Sequence, residues 1–197
     1  MSEFLTYFNI GLHHVLDINA YDHILFLIAL VTPYAFKDWK RVLILVSLFT
    51  LGHTLSLILS VFGVVYIKPG LVEFLIPITI LVTALFNLFT AGKSGKNESI
   101  TFIAMVTVFF GIIHGLGFSS YFKSILPGSA TEKLVPTLEF AVGIEAAQII
   151  VVLAVLIISY IVQTFFRFSK RDWSLVMSAF VAGVVLPMII ESDIWNR

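Results

Sequence analysis

Four of the five histidines in this chain, His14, His23, His53 and His114, can be set at similar depth in an apolar helical framework. Acidic residues stand beside them or at comparable depth. Asp22 adjoins His23, and Glu73, Glu139 and Glu145 follow in later apolar stretches. Ionisable groups are costly to bury in such a chain, so their gathering at one level marks a site. Imidazole with carboxylate is a ligand set for zinc, nickel, copper or iron, and zinc sites commonly take three or four such groups. The chain has no cysteine, which excludes thiolate metal centres and disulfides. It also lacks an HExxH motif, so the usual zinc-protease signature is missing.

The framework follows from composition. The chain has 197 residues, 59% hydrophobic and 12% charged, with a mean hydropathy of +1.03. A soluble domain carries about 25% charged residues. These values indicate an all-α, polytopic membrane bundle in which only short loops meet water. The net charge of zero argues against a nucleic-acid partner. A spanning helix needs about 20 apolar residues. Six segments are expected to span, at about Tyr21–Phe36, Trp39–Val65, Leu71–Ala91, Ile100–Ser119, Leu134–Phe166 and Trp173–Ile190. Residues 3–16 mix apolar and polar groups and read as an amphipathic helix at the interface. The N-terminus has no basic stretch and no small-residue cleavage site, so it is expected to be retained. No loop holds a separate soluble domain, and residues 1–197 are read as one integral membrane domain.

Charge sets the orientation. Lys37, Lys40, Arg41, Lys93, Lys96, Arg167, Lys170 and Arg171 fall on one side, and Lys68, Lys123, Lys133 and Arg197 on the other. By the positive-inside rule the first side is cytoplasmic and both termini are extracytoplasmic, as expected for a bacterial inner-membrane protein. His53 then lies roughly 21 Å from the cytoplasmic end of its helix, and His114 about the same distance along its own. Asp22, His23, Glu73 and Glu139 lie near the outer ends of their segments, and Glu145 is deeper. Gln148 shares a helical face with Glu145. Gly52, Gly111, Gly115 and Gly117 flank the two deep histidines, where they allow close helix approach. The run IHGLGFSS is expected to bend or unwind. Pro77, Pro136 and Pro187 are candidate kinks.

Each residue also has a plainer reading. Thr50, Thr54 or Ser56 could bond a merely structural histidine. Asp22 could cap a helix. Glu73 and Glu139 could serve helix N-termini. His13 reads as solvated. Phenylalanine is spread as on lipid-facing helices, and Trp39, Trp173 and Trp195 sit near span ends, as interfacial aromatics do.

The stretches GLHHVLDINAYDHILFLIAL, FTLGHTLSL, HGLGFSSYF and VGIEAAQ resemble, in order, motifs of the HupE/UreJ family of membrane proteins, over about residues 11–152. The resemblance implies a nickel or cobalt permease-like protein. It carries His14, Asp22, His23, His53, His114 and Glu145 over as metal-site positions. Glu73, Glu139, Gln148 and Thr54 are candidates to orient these ligands or line the path. The chain differs from the family pattern in a longer gap between His14 and Asp22, in HGLGF without a second histidine, and in FAVGIE before the acidic position.

Two functions are therefore expected of this sequence. The first is a transporter of a divalent transition metal (nickel, cobalt or zinc), with its site in the outer half of the bundle. The alternative is an intramembrane zinc-dependent hydrolase or transferase acting on a lipid or lipopeptide. The partners are the bilayer and the metal ion, and no oligomeric state is assigned.

Overall fold

A computed structural model of the chain describes residues 2–92, 100–126, 128–129 and 131–196. Lys93, Lys96 and Arg197, used in the charge count, lie outside the described residues. The described residues are helical, with α1 Glu3–Leu16, α2 Asp22–Val31, α3 Trp39–Val61, α4 Pro69–Thr90, α5 Ile100–Ile125, α6 Leu134–Phe165 and α7 Lys170–Ile190. Single turns of 3-10 helix stand at Phe36–Asp38 and Asp193–Asn196.

Local chemistry accounts for the ends. Ser2 Oγ accepts from Leu5 N at the start of α1, and Ser169 Oγ accepts from Asp172 N at the start of α7. Pro69 opens α4, where its missing N–H removes nothing the helix needs. Gly63 and Gly92, with φ of 73° and 80°, take the left-handed conformation just beyond α3 and α4.

Helices α3 to α7 are long and apolar enough to cross a membrane. The segment expected to span at Tyr21–Phe36 does not form one long helix. α2 has ten residues, about 15 Å, against a hydrocarbon thickness of about 30 Å. Pro33 cannot continue the hydrogen-bond ladder, and the chain leaves the helix at Thr32. Seven of the ten α2 residues are buried, so it is a core helix enclosed by α4, α6 and α7. Asn87 on α4 ties it in place, with Nδ2 donating to the Ala29 carbonyl at 2.7 Å. The expected break at IHGLGFSS is also not seen, because α5 runs unbroken through Gly115 and Gly117.

The helix pairs α3–α5 and α1–α6 meet backbone to backbone. A Cβ on Gly52 would fall on the Val108 carbonyl, and one on Gly111 on the Phe49 carbonyl. Gly11 and Gly143 do the same for α1 and α6, against the carbonyls of Phe140 and Phe8. Small residues permit this approach, and each such glycine lies within three residues of a histidine or of the phenylalanine facing one. Large apolar side chains such as Ile44, Leu51, Phe109 and Ile158 face outward, which suits lipid.

Candidate metal site

The site is assembled from four helices. His14 comes from the last turn of α1, His23 from the first turn of α2, His53 from the middle of α3 and His114 from the middle of α5. The turn between α1 and α2 is closed by Asp17, whose Oδ1 accepts from the Asn19 backbone N–H at 2.8 Å and from its side chain at 3.2 Å. That turn folds His23 back against His14, with ring centroids 4.6 Å apart. His53 lies 5.7 Å from His14 and 5.6 Å from His23, and His114 lies 5.2 Å from His23.

One ring nitrogen from each of His14, His23 and His53 falls within 4.8 Å of the others. Tetrahedral coordination at about 2.0–2.1 Å places ligand nitrogens about 3.3 Å apart. Closing the trio on a metal therefore takes a contraction of at most about 1.5 Å per pair, within reach of small side-chain rotations.

His23, His53 and His114 are all but completely buried, at 2%, 0% and 1% exposure. Nε2 of His14, His23 and His114 and both ring nitrogens of His53 are buried without a hydrogen-bond partner. A buried polar atom left unsatisfied costs about 1–3 kcal/mol, a cost that a shared ligand at this convergence would relieve. Two rings are oriented from behind. His114 Nδ1 is 2.8 Å from the Phe110 carbonyl, which can only accept, so Nδ1 carries the proton and Nε2 presents a lone pair. Asp22 Oδ1 lies 3.1 Å from His23 Nδ1 and accepts from the His23 backbone N–H at 2.8 Å. Carboxylate–imidazole pairs of this kind fix the ring and make Nε2 a better metal ligand.

The walls are aromatic. Phe118 covers His14 at 3.9 Å between centroids and stacks on Phe140 at 5.1 Å. Phe26 and Phe49, stacked at 4.6 Å, close the floor at 5.2 Å and 5.1 Å from His114. Sequence reasoning gave these aromatics no role. The one signal was that Phe49 and Phe110 each precede a histidine by four residues. Above the histidines a cleft of about 580 Å³ opens, lined by His13, Asp17, Asp22, Glu73 and Tyr121. Asp17 was not singled out from sequence; it and Glu73 line the same cleft as His14, His23 and His114.

The remaining candidates lie apart from the rings. Glu145 accepts from Ser47 Oγ at 2.5 Å and from the Thr50 hydroxyl, on the seam between α6 and α3. Gln148 is fully buried there, its Oε1 accepting from Thr50 at 2.9 Å and its Nε2 unpartnered. Glu139 is partly buried with one oxygen unpartnered, and Thr54 is buried beside His53 with its hydroxyl unpartnered.

The set of three or four imidazoles with one orienting carboxylate suits a borderline divalent cation and lacks the oxygen-rich shell that calcium or magnesium requires. Comparison with curated proteins and with solved structures finds no match. The family model described as HupE / UreJ protein matches residues 1–192, nearly the whole chain, and the chain belongs to that family of membrane proteins.

Proposed function

We propose that this protein carries a divalent transition-metal cation of the nickel or cobalt type across a membrane, the cation being cargo rather than resident cofactor. The carrying observation is the convergence of five unpartnered, buried imidazole nitrogens from four helices. In this reading Asp17, Asp22 and Glu73 draw a cation into the cleft, as an acidic opening with low-dielectric walls does. His14, His23, His53 and His114 replace its water, and Asp22 orients His23 and offsets part of the cation's charge. Glu145, held by Ser47 and Thr50 on α3, is the next oxygen donor inward along the α3–α6 seam, with Gln148 beside it. Thr54 borders this path beside His53, and Glu139, nearer the outer end of α6, lies toward the entrance. Arg41, Lys170 and Arg171 gather where α3 and α7 begin, away from the cleft. That supports a cytoplasmic basic face and an outward cleft in a bacterial inner membrane; extracytoplasmic termini follow only with α2 and the residues up to α3 completing a sixth crossing inside the bundle.

The aromatic floor of Phe26 and Phe49 favours a second reading, in which the metal stays. Zinc held by the same histidines would supply a Lewis acid and an activated water. Asp22 and Glu73 would then serve as the nearest carboxylates, and the cleft would admit a lipid or lipopeptide from the outer leaflet.

Elemental analysis of protein extracted without chelator, beside a His53→Ala/His114→Ala variant, separates the two, together with nickel and cobalt uptake by proteoliposomes. The transport reading expects weak nickel or cobalt binding and uptake, both lost in the variant. Stoichiometric zinc that survives dialysis, without uptake, supports the enzyme. Absence of any transition-metal binding overturns both.

A further inference from the structure

A second and larger cavity, of about 920 Å³, lies below the histidines among α2, α4, α5, α7 and the start of α3. Phe26 and Phe110 separate it from the metal site: both line the cavity, and Phe26 also packs on His114. Its walls are apolar, with Leu30, Val82, Phe86, Met105 and Phe109 prominent. Four of these are also 40–60% exposed on the outer surfaces of α4 and α5, so the cavity is open sideways to the hydrocarbon of the bilayer. At its basic end stand Arg41, Lys170 and Arg171, against a single acid, Asp38.

These groups are poorly suited to passing a metal cation. Four of the cavity's polar side chains already serve the backbone: Asn87 donates to Ala29, Thr83 to Thr79, Thr90 to Phe86 and Thr107 to Ile103. Asp38 Oδ2 accepts from the Ala35 N–H at 3.0 Å. No imidazole lines it among the described residues, and three cations at its end repel a fourth. None of the three forms an ion pair among the described residues. Arg41 stacks over the Tyr34 ring at 5.3 Å, and its Nε is buried without a partner.

We infer that this cavity is a binding site for one anionic phospholipid. One of its two acyl chains enters sideways between α4 and α5 while the other stays in the bilayer, and its phosphate is held by Arg41, Lys170 and Arg171. Apolar length, sideways access and an unpaired cationic end are the three features such a molecule matches, and a volume of this order accommodates a ligand of several hundred cubic ångströms. Basic clusters at the ends of membrane helices are the usual recognition element for anionic headgroups. The guanidinium adds directed N–H donors that suit phosphate.

The test uses the full-length protein in mixed micelles with dioleoyl phosphatidylglycerol, dioleoyl phosphatidylcholine or inorganic phosphate, read by native mass spectrometry and thermal unfolding. We expect one phosphatidylglycerol to be retained and to raise Tm, with phosphatidylcholine bound at least about tenfold more weakly. Inorganic phosphate should bind without raising Tm to the same extent. An Arg41→Gln/Lys170→Gln/Arg171→Gln variant should lose the preference between the two lipids. Val106→Trp, which fills the cavity wall and leaves the cations in place, should lose retention while keeping phosphate binding. Equal retention of both lipids by the unaltered protein overturns the inference. So does a full effect from phosphate alone, which would make the site one for a free anion, or unchanged retention in Val106→Trp, which would place the lipid on the outer surface.

Discussion

Replacing His53 by leucine, a side chain of similar volume, should invert the order of stability between metal-free and metal-loaded protein. His53 is fully buried and neither ring nitrogen has a partner. Each such group costs about 1–3 kcal/mol when unsatisfied, so an apolar replacement relieves a penalty. In excess chelator His53→Leu should therefore be more stable than the unaltered protein by at least about 1 kcal/mol, or about 2–4 °C in Tm for a chain of this length. With metal the sign changes. A cation at 100 times its Kd stabilises the unaltered protein by about 2.7 kcal/mol. If loss of one imidazole raises Kd about 100-fold, the same concentration gives the variant only about 0.4 kcal/mol. The assay is thermal unfolding in detergent, with chelator and with nickel, cobalt or zinc. Destabilisation of the variant in chelator by 1 kcal/mol or more, with an undiminished metal increment, would refute the reasoning and make His53 a packing residue.

Asp22→Asn should weaken metal binding about 10- to 100-fold while leaving the fold intact, because the carboxylate acts through His23; isothermal titration of nickel into purified protein measures this. Gly11→Ala or Gly143→Ala should lower stability by about 1–3 kcal/mol or more, since each new Cβ meets facing backbone. Gly183→Ala, with nothing within 4 Å, should instead be neutral or gain up to about 1 kcal/mol; chemical denaturation distinguishes these signs. In the loop before α6 the backbone N–H and hydroxyl of Ser129 bond the Glu132 carboxylate and hold its pKa below the ordinary carboxylate value. The stabilising contact is therefore present at neutral pH and lost as pH falls through that lowered pKa. Protection of the Ser129 amide, its exchange rate taken relative to the intrinsic rate at each pH, should fall there, and not in Glu132→Gln.

The membrane class, the long apolar helices and the common depth of His53 and His114 were all readable from the chain. They depend only on composition and on a fixed rise per residue. The approach of His14 to His23 was not, because it depends on a turn at Asp17–Asn19 that reverses the chain between two short helices. Nor was the placement of Glu145. Phe140 faces the histidines, and at 100° per residue Glu145 points about 140° away from it, towards Ser47 and Thr50. That rotation is set by Gly143 packing on α1, a contact between segments far apart in sequence. The aromatic floor has the same origin: Phe26, Phe49 and Phe110 look like ordinary lipid-facing residues until helix packing turns them inward. Spacing along one helix determines depth and face, whereas the direction each face takes is a property of its neighbours. The sequence by itself therefore determined which groups are available for chemistry, and only the tertiary structure decided which of them meet.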